Sequence, residues 1–179
     1  MTTILIGYMG AGKTTLGKAL AKRMQCPFAD LDWMIEEQTH LTIPQIFAQQ
    51  GEEGFRRIEQ QTLHQALQEP QAVLAVGGGT PCFFDNIEFM NSHATTIYLK
   101  AAPTTLRKHI RMGGSVRPLV DGKNDEELLQ FIEQSLRQRE PFYLKANHHI
   151  DIQPIDTEQQ IADYAERLYE IVTRSQQHA

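Results

Sequence analysis

Residues Gly7-Tyr8-Met9-Gly10-Ala11-Gly12-Lys13-Thr14 satisfy the pattern G-x-x-x-x-G-K-[ST] in full. The flanks are those the pattern needs to have physical meaning. The apolar run Ile4-Leu5-Ile6 reads as a buried strand, and Leu16, Ala19, Leu20 and Met24 share one face of a following helix. Strand, glycine-rich turn and helix start together form a loop whose backbone N–H groups turn inward around a phosphate at the positive end of a helix. The glycines allow this turn without Cβ clashes. The cradle is then Gly10, Ala11, Gly12, Lys13, Thr14 and Thr15, with Lys13 reaching the β- and γ-phosphates and the Thr14 hydroxyl ligating Mg²⁺. A bare strand-to-helix turn without a ligand is the competing reading, and the complete match in this setting argues against it. The chain is expected to bind a nucleoside triphosphate.

A length of 179 residues suits one domain, 1–179, with a single core. A hydrophobic content of 41% and a charged fraction of 22% are ordinary for a soluble globular protein. No apolar run is long enough to span a membrane, and the first residues lack a basic-then-apolar leader. The first strand starts almost at once, which leaves no room for a transit segment, so the expected compartment is the cytoplasm. A net charge of −5 argues against general nucleic-acid binding, yet leaves room for an anionic small substrate held by a few arginines. Cys26 and Cys82 have no zinc spacing and are expected to be small core residues.

Strand and helix alternate along the chain. Candidate strands are Thr3–Ile6, Phe28–Leu31, Ala72–Val76, Thr95–Leu99 and His149–Ile152, each short and without strict apolar–polar alternation. Strands buried on both faces and separated by helices imply a five-stranded parallel sheet in a three-layer α/β/α sandwich. Thr42-Ile43-Pro44-Gln45 resembles a capping box, and Gly51 reads as the stop of that helix. Pro103 starts another helix towards Arg111. Leu128, Ile132 and Leu136 mark a third that leads to Arg139, where Pro141 kinks or ends it. Ile161, Ala165, Leu168 and Val172 stripe a closing helix, with Ser175–Ala179 expected to fray. Residues 33–68 hold more helix than a crossover needs and are read as a substrate-binding insert, and the glycine- and proline-bearing 112–124 as a lid.

Asp30 and Asp32 lie at the carboxyl end of the second strand, the edge that faces the ligand crevice in an open parallel sheet. Residues two apart on a strand point the same way, so one carboxylate could hold Mg²⁺ through water while the other accepts a hydroxyl proton. Equally, Asp32 could simply cap a helix starting at Trp33. Gly77-Gly78-Gly79 follows the third strand at the same edge and suggests close backbone approach to a ligand. Arg56, Arg57, Arg117 and Arg139 offer planar forks for carboxylate or phosphate, although any one alone is more commonly a solvated side chain. His40, His64, His93, His109, His148, His149 and His178 are read as structural or exposed, since His148-His149 lacks a third metal ligand with suitable spacing.

In this order, Gly7–Thr15, Asp30-Leu31-Asp32, Ile43–Phe47, Gly51-Glu52 with Phe55-Arg56-Arg57-Ile58-Glu59, Gly77–Gly79, Arg117-Pro118-Leu119 and Arg139-Glu140-Pro141-Phe142-Tyr143 resemble the shikimate kinase family over nearly the whole chain. The resemblance implies a P-loop nucleoside-kinase fold, usually monomeric, that transfers phosphate from ATP to the 3-hydroxyl of shikimate on the way to chorismate. It implies Asp32 as the base holding the reacting hydroxyl, Arg56 and Arg139 as the carboxylate clamp, and Gly78 as a hydrogen-bonding partner of a ring hydroxyl. Lys13 and Arg117 would neutralise the phosphates, Thr14 would ligate Mg²⁺ with Asp30 helping through water, and Arg111 would lie near the adenine. The lid is one residue short of the family pattern, which blurs which lid residue touches substrate. The rivals are a kinase of the same architecture for another small substrate, gluconate fitting the arginine pair better than a nucleoside, and a non-catalytic nucleotide-binding module.

Overall fold

The computed structural model describes residues 2–68, 73–113 and 120–177. The chain runs β1 (Thr2–Ile6), α1 (Lys13–Met24), β2 (Phe28–Asp30), α2 (Leu31–Thr39), α3 (Ile43–Ala66), β3 (Val73–Ala75), a 3₁₀ turn (Thr80–Cys82), α4 (Asn86–His93), β4 (Ala94–Ala101), α5 (Pro103–Met112), α6 (Asp125–Tyr143), β5 (His148–Ile152) and α7 (Glu158–Gln177). All five strands pair in parallel in the order β2-β3-β1-β4-β5. Thr3 of β1 stands between Val73 and Thr95, so the first strand is the centre of the sheet. The chain leaves β1 where the strand order reverses, and in an open α/β sheet such a switch point opens a crevice at the carboxyl ends of the strands.

Burial explains the pattern. β1, β3 and most of β4 are buried residue by residue, because helices cover both faces of the central strands. β5, at the edge, alternates in its burial instead. Ile4, Ile6, Leu16, Leu20, Ile97, Leu128, Ile132 and Leu168 belong to one continuous core that ties the sheet to α1, α6 and α7. Among the described residues, no helix is long and apolar enough to cross a membrane.

Several local expectations hold. Thr42 and Gln45 form the reciprocal capping box at the start of α3. Gly51 does break the helix, with φ 68° and ψ −174°, but a second helical leg resumes directly, so the stop is a kink. Others need correction. β2 ends at Asp30 and α2 begins at Leu31, so the capping carboxylate belongs to Asp30 and Asp32 sits in the first helical turn. α6 runs through Pro141 to Tyr143, so the proline forgoes one intrahelical bond but does not end the helix. α7 stays helical to Gln177, with the Ser175 hydroxyl bonded to the Ile171 carbonyl and to His148. Residues 86–93 add a helix, α4, that no sequence signal announced.

Candidate active site

The loop between β1 and α1 reverses the chain through Gly10 at φ 81° and Gly12 at φ 91°, values that a side chain would strain. Its Gly10–Ala11 peptide is held on both sides: Ala11 N–H donates to the Tyr8 carbonyl at 3.1 Å, and the Gly10 carbonyl accepts from His109 Nδ1 at 2.8 Å. Gly12 offers no side chain to cap α1, so the first turn opens towards a cavity of about 550 Å³. The helix start thus keeps its positive end for an anion. Lys13 folds over the loop, its ammonium donating to the carbonyls of Gly7 at 2.7 Å and Tyr8 at 3.0 Å.

Opposite this loop, the start of α2 supplies two carboxylates. Asp30 accepts from Asp32 N–H at 3.1 Å through one oxygen and from the Thr14 hydroxyl at 3.1 Å through the other. It therefore joins the first turns of α1 and α2. Asp32 is the perturbed member: burial first, then the like charges of Asp30 and Glu59, push its carboxyl up to about 6 against the opposing pull of Lys13. A carboxylate that exchanges its proton near neutrality suits a general base.

The glycine triplet is where the backbone must come close. A Cβ on Gly77 would stand 3.3 Å from an Asp32 carboxylate oxygen and 3.1 Å from Glu59 Oε1. On Gly78 it would meet the Gly7 carbonyl at 3.4 Å and Arg139 Nη1 at 3.5 Å. On Gly79 it would collide with the Arg56 guanidinium at 2.5–2.9 Å. The triplet thus threads between Asp32, the phosphate loop and both arginines. Tyr143 pins it from below, its hydroxyl donating to the Gly78 carbonyl, and burial drives that phenol well above its ordinary range.

The two arginines are held differently. Arg56, on the second leg of α3, is only 8% exposed; its Nη1 donates to Glu59 Oε2 at 2.8 Å, and its guanidinium lies 4.0 Å from the Phe83 ring centroid. Glu59, 1% exposed, also accepts from the Thr80 hydroxyl, which ties α3 to the turn after the triplet. Arg139 comes from the last turns of α6, beside Gly78 and over the Tyr8 ring at 5.6 Å. Two planar cations converge on one backbone segment, a geometry suited to a carboxylate.

The cavity is lined by Gly10, Gly12, Lys13, Thr14, Thr15, Asp30, Asp32 and Gly78, so these predicted residues meet in one place. Ala11 is buried beneath the loop. Arg111 does not line it: its guanidinium pairs with Asp125 at 2.9 Å and donates to the Lys123 carbonyl at 2.6 Å. Arg57 points outward and pairs with Glu53. Arg117 lies outside the described residues, as does the middle of the expected lid (114–119). Cys26 and Cys82 are half-buried against the core rather than within it, and burial pushes the Cys82 thiol up to about 11.

Sequence reasoning missed several members of the site. Glu59 stood inside the quoted arginine motif, and its i, i+3 spacing from Arg56 on a helix was the available signal. His109, read as structural or exposed, lines the cavity. So do Met9, Met112, Ile155 and Ile161, none of which was read as a site residue. The remaining described histidines fit the expectation: His64 and His93 stack on Phe89, and His149 stands edge-on to Tyr98.

With this geometry in place, comparison with known proteins is direct. The shikimate kinase family profile matches residues 9–170. A shikimate kinase of Phocaeicola vulgatus is 49% identical over 162 residues, covering 90% of this chain and 93% of that protein. The crystal structure of shikimate kinase from Bacteroides thetaiotaomicron superposes with a TM-score of 0.94 at 43% identity, over 97% of this chain and 98% of that one. Shikimate kinase from Acinetobacter baumannii, solved in complex with shikimate, superposes with a TM-score of 0.81 at 31% identity, over 97% and 93%.

Proposed function

The chain belongs to the shikimate kinase family, and from that premise we propose that it transfers the γ-phosphoryl group of ATP to the 3-hydroxyl of shikimate. One observation carries the reading: Asp32, Gly78, Arg139 and the Arg56–Glu59 pair gather around the glycine triplet, directly across from the loop that ends at Thr14. A non-catalytic nucleotide module has no use for a buried arginine clamp and a base beside its phosphate loop.

Each residue then has a role. Arg56 and Arg139 clamp the shikimate carboxylate, and Gly78 bonds a ring hydroxyl, which fixes the ring with its 3-hydroxyl at Asp32. The Asp32 carboxylate takes the hydroxyl proton as the oxygen attacks the γ-phosphorus, and ADP departs along the loop. Lys13 releases its loop carbonyls to neutralise the phosphates. Arg117, on the resemblance alone, takes the same role from the lid formed by 112–124, while 33–68 serves as the substrate-binding insert. Such a reaction asks the protein mainly for positioning and charge neutralisation, which are worth most when water is excluded.

The Thr14 hydroxyl and the Asp30 carboxylate, already joined by a hydrogen bond, are hard oxygen donors of the kind Mg²⁺ accepts. Among the described residues there is no cluster of three or more acidic or imidazole ligands, which agrees with a cation that keeps most of its ligands as water and phosphate. When bound, Mg²⁺ supplies charge compensation at the β- and γ-phosphates. Met112, Ile155 and Ile161 offer the apolar wall for the base, in place of the position expected for Arg111.

The test is a coupled ADP-release assay with shikimate and with gluconate. Shikimate-dependent turnover is the expected result. Turnover with gluconate alone, or with neither compound, refutes the assignment.

A further inference from the structure

His109 occupies a position that the reaction chemistry does not use and that its hydrogen bonds define completely. On one side, Nδ1 lies 2.8 Å from the Gly10 carbonyl, which can only accept. On the other, Ile155 N–H, which can only donate, reaches Nε2 at 2.9 Å. These partners leave one arrangement: a neutral ring with its hydrogen on Nδ1. The imidazole therefore bridges two segments that are far apart in the chain, the phosphate loop and the loop between β5 and α7.

The surroundings make this bridge a hub. The face of α5 that carries His109 presses on the phosphate loop so closely that a Cβ on Gly10 would stand 3.0 Å from Ile110 and 3.1 Å from the Leu106 carbonyl. The next residue back, Lys108, pairs with Asp156 at 2.6 Å, so α5 grips the β5–α7 loop at two successive positions. That loop is braced on its far side by Gln160, which accepts from Asp156 N–H at 2.8 Å and Thr157 N–H at 3.0 Å. Ile155 in turn reaches towards the phosphate loop, its Cδ1 lying 3.6 Å from a Cβ built on Gly12. His109, Ile155 and Gly10 all line the same cavity.

We propose that His109 is a positioning residue for the nucleotide: it sets the separation between the phosphate cradle and the apolar wall at Ile155, so that phosphates and base are received together. The bond to Gly10 also keeps that carbonyl turned away from the bound anion. The inference rests on reading the cavity as the nucleotide site.

Steady-state kinetics, with each substrate varied against saturating partner, test it in His109→Phe, His109→Gln and the unmodified enzyme. The phenylalanine keeps the ring volume and removes both hydrogen bonds. Its KM for ATP should rise about tenfold or more, the loss of two ordinary hydrogen bonds, with the shikimate KM within about twofold of normal. The glutamine can still accept from Ile155 N–H through its amide oxygen and should recover part of the loss. A folded His109→Phe enzyme with an unchanged ATP KM, or with both KM values raised equally, overturns the proposal and leaves the nucleotide site standing. Failure of the unmodified enzyme to bind ADP removes the site itself and the proposal with it. If the phenylalanine variant does not fold, His109→Asn takes its place, since it retains a donor for Gly10 but cannot reach Ile155. A raised ATP KM in that variant supports the tether, and a normal one refutes it.

Discussion

Replacing Asp32 by asparagine should make the unliganded protein more stable while stopping the reaction. The carboxyl is moved from its ordinary 3.8 to about 6, first by burial and then by Asp30 and Glu59. That displacement of about 2 pH units corresponds to about 3 kcal/mol at 1.36 kcal/mol per unit. The sign follows from linkage. Above pH 6 the group is ionised in both folded and unfolded chains, and the folded state bears the whole cost; below 3.8 it is protonated in both and the cost is gone. Wild-type stability therefore receives a rising contribution from Asp32 as pH falls from 6 towards 4. Asparagine is neutral throughout and keeps the backbone N–H that Asp30 caps. At pH 7 the Asp32→Asn protein should be more stable by up to about 3 kcal/mol, less what water in the open cavity already screens. For a chain of this size the ceiling is about 6–12 °C in Tm. Thermal unfolding without ligands, from pH 8 to pH 4, reads this directly, with the advantage shrinking below pH 6. An advantage that is absent at pH 7, or that persists undiminished at pH 4, refutes the account of Asp32. In the same variant kcat should collapse with ATP affinity little changed, and near-normal turnover would remove Asp32 from the base role.

Gly79→Ala places a methyl group 2.5–2.9 Å from the Arg56 guanidinium, which is buried against Glu59 and cannot swing away freely. The shikimate KM should rise about tenfold, an overpacking cost of the usual 1–3 kcal/mol, with the ATP KM unaffected; equal changes in both would contradict the placement of Arg56. Arg139→Ala should weaken shikimate binding by about 2 kcal/mol, near thirtyfold in Kd, as a charge-assisted pair is lost. An unchanged shikimate Kd, measured by titration, takes Arg139 out of the clamp.

The phosphate loop, the parallel sheet and several of the residues that line the cavity were legible because each is written in a short stretch of chain. Gly7–Thr14 needs only its own glycines and flanking periodicities, and the five strands announce themselves as apolar runs between helical stripes. Boundaries were read less well, since a strand end and a helix start compete for the same residues. Asp30 and Asp32 were placed two apart on one strand, whereas the strand yields at Asp30 and the two carboxylates take unlike tasks, one capping and one buried. Pro141 and Ser175 were misjudged for a related reason: packing and partners from other elements, Tyr143 on Gly78 and His148 on Ser175, extend helices that local signals would end.

What the order of residues determined unaided was the class of fold and the chemistry of its central loop, because backbone geometry and hydrophobic period act over neighbouring residues. What tertiary structure alone decided was which of many polar side chains are engaged. Arg56 and Arg57 are adjacent, yet one is buried on Glu59 and the other pairs with Glu53 in solvent. Among the described histidines, His109 alone joins the Gly10 carbonyl to the Ile155 amide. Such assignments depend on burial and, for His109, on partners brought from tens of residues away, and neither exists until the sheet has closed its helices around it.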